Sequence, residues 1–102
     1  MSAQTVTMYP LDRDQATALA TAIAEVPGVQ ALYPGRFGEI ALLYPHVRIP
    51  GIQFSAADNP TVTIHLEADL GANTPLPHAA DAVRRIAATQ LPDHTIDIIF
   101  EK

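Results

Sequence analysis

The chain contains no cysteine and no tryptophan, and it has only 6 basic side chains against 11 acidic ones. The missing cysteines exclude disulfides, thiolate metal ligands and cysteine nucleophiles, and they are compatible with a reducing compartment. The formal charge of −5 disfavours phosphate backbones and anionic lipid headgroups, because an acidic surface repels them. We therefore expect neither a nucleic-acid partner nor direct binding to a lipid surface.

Long apolar runs are also missing from this sequence. No segment approaches the roughly 20 apolar residues that a membrane-spanning helix needs. The first residues lack the basic-then-apolar pattern of a secretory signal. We expect a cytoplasmic protein without direct membrane insertion, in which any association with a membrane comes through a partner.

The composition suits one small domain, since 102 residues that are 48% hydrophobic can bury a single core. A first helix is predicted after Asp12, a good N-cap, with Gln15 at the capping-box position. Pro27 and Gly28 end this helix. Its predicted buried face consists of Ala16, Leu19, Ala20, Ile23 and Val26.

A second helix is predicted after Thr74, which is expected to be its N-cap. The first turn of a helix tolerates proline, so Pro75 and Pro77 are compatible with this start. Asp81 is placed to pair with Arg84 or Arg85 on the solvent side. The predicted buried face consists of Ala79, Val83, Ile86, Ala87 and Leu91.

The clearest strand prediction covers Thr61–Leu70, where apolar and polar residues alternate over ten positions. Its apolar residues are expected to face the core: Val62, Ile64, Leu66, Ala68 and Leu70. The same alternation predicts a last strand over residues 95–101. Three further signals are weaker. Residues 5–9 predict an edge strand open to a second subunit, and residues 40–44 predict a strand or a helical turn. Residues 47–54 predict a strand in which Pro50 and Gly51 mark a bulge or a strand start. Residues 57–60 predict a turn.

The resulting order is (β)-α-β-β-β-α-β. Two helices on one face of a mostly antiparallel sheet of about four strands make an α+β fold, a two-layer sandwich that forms one domain over residues 1–102. The second face of such a sheet is polar. It is either solvated or available to partners.

The polar face offers the most ligand-like group of side chains, His65, Glu67 and Asp69. Alternate residues of a strand are about 7 Å apart and the outer two about 13 Å, which is too far for one metal ion unless the strand bends. A ligand from another strand, such as Asp97, would be needed. We expect no metal and no cofactor, with a solvated face or a partner contact as the default.

The segment Gly35-Arg36-Phe37-Gly38 matches the Gly-x-x-Gly loop of KH domains, which binds nucleic-acid backbone between two helices. The simpler interpretation is that both glycines adopt positive-φ turns, with Phe37 in or beside the core. If this loop projects, Arg36 and Phe37 form a contact point for a partner. Tyr33 and Tyr44 would extend it if exposed, although core packing is the commoner fate of such residues. No nucleophile–base arrangement or Gly-x-Ser-x-Gly elbow is present, so we expect no catalytic residues.

From about Ala16 to the C-terminus the chain resembles the bacterial alkaline-shock, or Gls-type, envelope stress response family, in its short actinobacterial form. Four segments carry the resemblance: Val26–Leu32, Pro34–Ile40, Pro50–Ile52 and Leu70–Pro75. The resemblance implies a small cytoplasmic α+β protein without enzymatic activity, linked to envelope homeostasis, which self-associates and is held at the membrane by a membrane-protein partner. It supplies no catalytic residues.

Two hypotheses follow. The first is a non-catalytic interaction or scaffold protein that binds itself and a membrane-anchored partner, with Tyr33, Arg36, Phe37, Tyr44, His65, Glu67 and Asp69 as candidate contacts. The alternative is a module that binds a small ligand or metal through the polar sheet face, or an RNA through the Arg36 loop.

Overall fold

A computed structural model describes residues 9–55 and 59–101 of the chain. In these two ranges the elements are α1 (Arg13–Ala24), β1 (Val29–Leu32), β2 (Ala41–Tyr44), β3 (Val47–Pro50), β4 (Ile52–Ser55), β5 (Thr61–Ala68), α2 (Leu76–Gln90) and β6 (Thr95–Glu101). Residues 5–8 of the predicted edge strand and residues 57–58 of the predicted turn lie outside the described residues. The run at 40–44 is a strand rather than a helical turn.

Strand β5 is the centre of the main sheet. One of its sides is covered in two pieces, because β4 pairs with its first half and β1 with its second half, both antiparallel. Its other side pairs with β6, in parallel, from Thr61↔Thr95 to Glu67↔Glu101. Strands β2 and β3 form a separate antiparallel hairpin. The predicted α+β architecture with a mostly antiparallel sheet is confirmed.

The predicted interruption at Gly51 is the joint between the two sheets. Gly51 has φ +87°, and a β-carbon there would lie 2.7 Å from the Cβ of Leu32 and 2.9 Å from the carbonyl oxygen of His65. Its backbone N–H donates to the carbonyl of Ile40, and its own carbonyl accepts from the N–H of His65, each at 2.8 Å. Only glycine combines this positive φ with so close a contact. The segment 47–54 is therefore two strands, β3 and β4, in different sheets.

Helix α1 begins as its sequence predicts. The Asp12 carboxylate accepts the N–H of Gln15 at 2.8 Å, and the Gln15 side-chain oxygen accepts the N–H of Asp12 at 2.9 Å. This capping box satisfies two backbone donors at once. The predicted apolar face is confirmed, with Ala16, Leu19, Ile23 and Val26 buried and Ala20 half-buried.

Helix α2 begins differently from its prediction. The N-cap position is Pro75, no side chain caps the helix, and the expected cap by Thr74 is wrong. The Thr74 side chain lies against Gly28, 3.2 Å from where a β-carbon on Gly28 would stand. Pro77 occupies the second helical position, where a missing N–H costs no hydrogen bond. Asp81 pairs with Arg84 at 3.2 Å.

The core lies between the helices and one face of the main sheet. Val62, Ile64 and Leu66 of β5 are fully buried there, as predicted. Their neighbours on β6 are only half-buried although they pack against the same core: Ile96, Ile98 and Phe100. From the helices and from the C-cap of α2, the core receives Ala16, Leu19, Ile23, Ala79, Val83, Ala87 and Leu91. The opposite face carries the alternating polar residues of β5 and β6.

Candidate interaction surface

The loop between β1 and β2 projects a phenylalanine. Gly35 and Gly38 have positive φ values of 88° and 75°, as expected from the sequence. Phe37, however, is 90% exposed, so its predicted place in or beside the core is wrong. Arg36 beside it is also exposed. The two side chains are therefore exposed together, and a partner contact through them stays a prediction.

The carboxylate of Glu39 holds this loop in shape. It accepts a hydrogen bond from the backbone N–H of Phe37 at 3.0 Å. Hydrogen bonds from the backbone N–H of Glu39 itself and then of Phe37 lower the pKa of this carboxyl below its usual value. These bonds favour the ionised form, so the loop is tied together best when Glu39 is charged.

The same loop lacks the setting of a KH motif. Strand β1 precedes it and strand β2 follows it, whereas a KH loop lies between two helices. The Gly-x-x-Gly match at Gly35–Gly38 is explained by the two turns that join these strands.

The two candidate tyrosines are not exposed with Phe37. The Tyr44 hydroxyl donates to the carbonyl of Leu11 at 2.8 Å, and its ring meets the ring of Tyr9 edge-on, with centroids 5.2 Å apart. Partial burial, and then the nearby Tyr9 and Asp12, raise the pKa of Tyr44 above its ordinary value. Tyr33 is half-buried. Tyr44 therefore packs against the core, the commoner fate, and neither tyrosine is exposed as Phe37 is.

The polar trio is dispersed along the sheet. His65 Nε2 lies 3.2 Å from the side-chain oxygen of Gln53 on β4, and Glu67 is the neighbour of Glu101 on β6. Asp97 lies beside Thr63. Within residues 9–55 and 59–101, no group of three histidine or acidic side chains is placed to hold a metal ion.

Asp69 stabilises the turn that follows β5. Strand β5 ends at Ala68, and the Asp69 carboxylate accepts the N–H of Gly71 at 3.0 Å. The Asp69 carbonyl also accepts the N–H of Ala72 at 3.2 Å. This Asx-type turn directs Leu70 into solvent, where it is 89% exposed. The sequence predicted Leu70 to continue the buried face of the strand, which is wrong because the strand stops two residues earlier.

Leu70 borders an apolar groove at the carboxyl ends of β5 and β6. The groove has a volume of about 550 Å³ and lies where the sheet meets the first turn of α2. Besides Leu70, its walls are formed by Gln30, Glu67, Ala68, Leu76, Phe100 and Glu101. Leu70 and Leu76 are among the most exposed large apolar side chains of the described residues. An apolar groove between exposed leucines is typical of a protein contact.

Two carboxylates border this groove side by side. Glu67 and Glu101 are register neighbours on parallel strands, which lie about 4.8 Å apart. Within the described ranges neither carboxylate forms an ion pair, since the two ion pairs there join Arg13 to Asp14 and Arg84 to Asp81. Two adjacent carboxylates favour a cationic side chain from a partner.

Of the groove residues, the sequence singled out Glu67 alone. Leu70 and Leu76 could have been found as two leucines that flank a turn rich in glycine, asparagine and proline. Phe100 and Glu101 could not, because only the parallel pairing of β6 brings them beside the end of β5.

No helix within the described ranges combines the length and the apolar character needed to cross a bilayer. Comparisons with protein-family models, with curated proteins and with solved structures found no match to this chain.

Proposed function

We propose that this protein is a non-catalytic interaction protein of the bacterial envelope stress response, which binds copies of itself and a membrane-anchored protein partner. The observation that carries the proposal is the apolar groove at the ends of β5 and β6, bordered by exposed Leu70 and Leu76. The link to the envelope rests on the family resemblance of the sequence. In this proposal the protein acts in the cytoplasm and reaches the membrane only through its partner.

The groove suits a partner segment with apolar side chains and at least one lysine or arginine. The apolar side chains would cover Leu70, Leu76 and Phe100, whose burial removes apolar surface from water. The cation would lie beside Glu67 and Glu101, which form no ion pair within residues 9–55 and 59–101. A chain with a formal charge of −5 also attracts a basic segment over longer distances. The juxtamembrane segment of a membrane protein has this chemistry, because cytoplasmic flanks are rich in lysine and arginine.

The test compares two leucine variants in the cells that naturally contain the protein. Leu70→Asp places a charge at the edge of the groove, whereas Leu43→Asp makes the same change on the hairpin, where Leu43 is 59% exposed. Membranes are solubilised gently and the tagged protein is recovered with whatever is bound to it. We expect one integral membrane protein with wild type and with Leu43→Asp, and its loss with Leu70→Asp.

A second arm measures affinity directly. A peptide that copies the cytoplasmic segment of the recovered membrane protein is titrated by calorimetry against Glu67→Gln/Glu101→Gln and wild type. Removal of both carboxylates should weaken binding about tenfold and flatten its salt dependence. Equal recovery of the membrane protein with Leu70→Asp and Leu43→Asp, or an affinity that ignores both carboxylates, would remove the groove as the binding surface.

A further inference from the structure

Strand β6 has one unpaired edge. It pairs with β5 along seven register positions, from Thr95 to Glu101, and no other strand of the described residues pairs with it. The strand contains no proline, and its register with β5 contains no bulge. Natural edge strands usually carry such features, which prevent pairing with another chain. This edge is therefore a regular template for a further strand.

The backbone groups on that edge can be assigned from one hydrogen bond. The N–H of Thr95 donates to the carbonyl of Pro60 at 2.9 Å. Alternate residues of a parallel strand direct both of their backbone groups to the same neighbouring strand. The backbone groups that point to β5 are therefore those of Thr95, Asp97, Ile99 and Glu101. The backbone N–H and C=O groups of the other three residues then point to the unpaired edge, away from β5: Ile96, Ile98 and Phe100. The Arg84 side chain agrees with this assignment, because its Nε lies 3.5 Å from the carbonyl oxygen of Ile96 at the outer edge.

We propose that β6 pairs antiparallel with β6 of a second copy, across a two-fold axis at Ile98, so that the two sheets become one. This inference rests on the proposed function, because it names the surface through which the interaction protein binds a copy of itself. An antiparallel pair is the arrangement that a closed two-fold dimer requires. Its ladder would contain about six hydrogen bonds, made by the outward groups of Ile96, Ile98 and Phe100.

Charge selects the register among the alternatives. An axis at Asp97 would place two copies of that carboxylate directly opposite each other, and an axis at Ile99 would place Asp97 opposite Glu101 of the second copy. Like charges in such positions are destabilising. With the axis at Ile98, Asp97 lies opposite Ile99 and Glu101 lies opposite Thr95. This register also pairs all seven residues of β6, which no shifted register does.

The apolar face of β6 supports the same partner. Ile96, Ile98 and Phe100 are half-buried, although their neighbours on β5 are fully buried. In the proposed register Ile98 meets Ile98 of the second copy, and Ile96 meets Phe100 of the second copy. The core therefore continues across the axis. The Ile96 carbonyl can keep its contact with Arg84, because a carbonyl oxygen has two lone pairs.

A single cysteine reports the position of the axis. The chain has no cysteine of its own, so Ile98→Cys introduces one thiol, which would meet its copy at about 5.5 Å between Cα atoms. Ile96→Cys is the matched control on the same face, where the Cα atoms of the two copies would be about 14 Å apart. We expect mild oxidation to give a covalent dimer with Ile98→Cys and none with Ile96→Cys. A dimer with Ile96→Cys alone, or with neither variant, would overturn the proposal.

Charge variants on the exposed sheet face test the register without touching the core. Ile99→Asp would set two new carboxylates opposite Asp97 of the second copy, which should raise the dissociation constant of the dimer about tenfold. Asp97→Lys/Ile99→Asp should restore it, because each pair then joins opposite charges. Sedimentation over a concentration series measures both, and circular dichroism checks folding. A monomeric wild type, or equal affinities for all three proteins, would contradict the inference.

Failure of this inference is separable from failure of the proposed function. Leu70→Asp alters the groove and leaves the edge of β6 intact, so it should form the same dimer as wild type. If wild type is monomeric but still recovers the membrane protein through Leu70, the edge pairing and the self-association are wrong, and the binding of a membrane-anchored partner stands. If it dimerises but no partner depends on Leu70, the edge pairing stands and partner binding through the groove is wrong.

Discussion

The two sides of β5 are covered in different ways. On one side β4 and β1 share the strand, and the chain between them detours through the loop and hairpin before returning at Gly51. On the other side β6 runs the full length of the pairing without interruption. The divided side consists of two short strands that each pair with about half of β5, whereas the continuous side is one strand that pairs with β5 over seven residues and, among the described residues, with no other strand.

This difference shows that an alternating pattern alone does not tell a central strand from an edge strand. Ile64 on β5 and Ile98 on β6 are register neighbours on the same sheet face. Ile64 is fully buried and Ile98 is half-buried. The position of a strand in the sheet, central or outer, therefore decides how far its apolar face is buried.

The largest expected effect lies on the divided side, at Gly51. Gly51→Ala should lower the free energy of unfolding by about 4 kcal/mol, because a β-carbon there combines a strained positive φ with overlap of Leu32 and the His65 carbonyl. Urea denaturation measures the loss. Gly71→Ala is the control, since its β-carbon would meet only the Asp69 carboxylate, at 3.4 Å. A loss at Gly51 no larger than at Gly71 would contradict the role of Gly51 as the joint.

The second-largest effect is the difference in lost stability between truncations at the centre and at the edge of the sheet. Ile64→Ala should cost about 3 kcal/mol, as expected for a fully buried isoleucine. Ile98→Ala should cost about 1.5 kcal/mol in the monomer, because part of its side chain is already in water. Urea denaturation at low protein concentration measures both. If the two losses were equal, β6 would be as enclosed as β5 and the comparison would fail.

The smallest effect concerns the loop on the divided side and depends on pH. The pKa of Glu39 is lowered in the folded protein from its usual value near 4.5, so its contribution is present above that value and is lost as the pH falls through the folded pKa. The amide proton of Phe37 should follow this titration in NMR spectra, with a midpoint below 4.5. In Glu39→Gln the low-pH step should disappear. A midpoint at or above the ordinary value would show that the carboxylate does not hold the loop.

Local features of the sequence predicted local structure well. The capping box at Asp12 and Gln15, the alternation in β5, and the positive-φ glycines at Gly35 and Gly38 each depend on a few neighbouring residues. The predictions that failed depend on distant residues. The side chain of Thr74 lies against the distant Gly28 and does not cap α2. Phe37 is exposed because the loop that carries it is directed away from the core.

The candidate site was the least predictable part of the molecule. Glu67 was expected as a polar contact, but the expected partners His65 and Asp69 are occupied by Gln53 and by the turn at Gly71. The residues that join Glu67 in the groove come from β1, β6 and the start of α2. These segments are not related by any regular spacing along the chain. Periodicity therefore could not predict that they meet in one groove.

By itself, the sequence determined the α+β class, the amphipathic faces of both helices and the buried alternation of β5, because hydrophobic period and capping act over a few residues. Only the tertiary structure decided that Leu70 lies outside the core, that β3 and β4 belong to different sheets, and that β6 lies parallel to β5 as an outer strand of the sheet formed by residues 9–55 and 59–101. The physical reason is that strands pair through backbone groups that are far apart in sequence. The side chains of one strand do not specify which distant strand will pair with it.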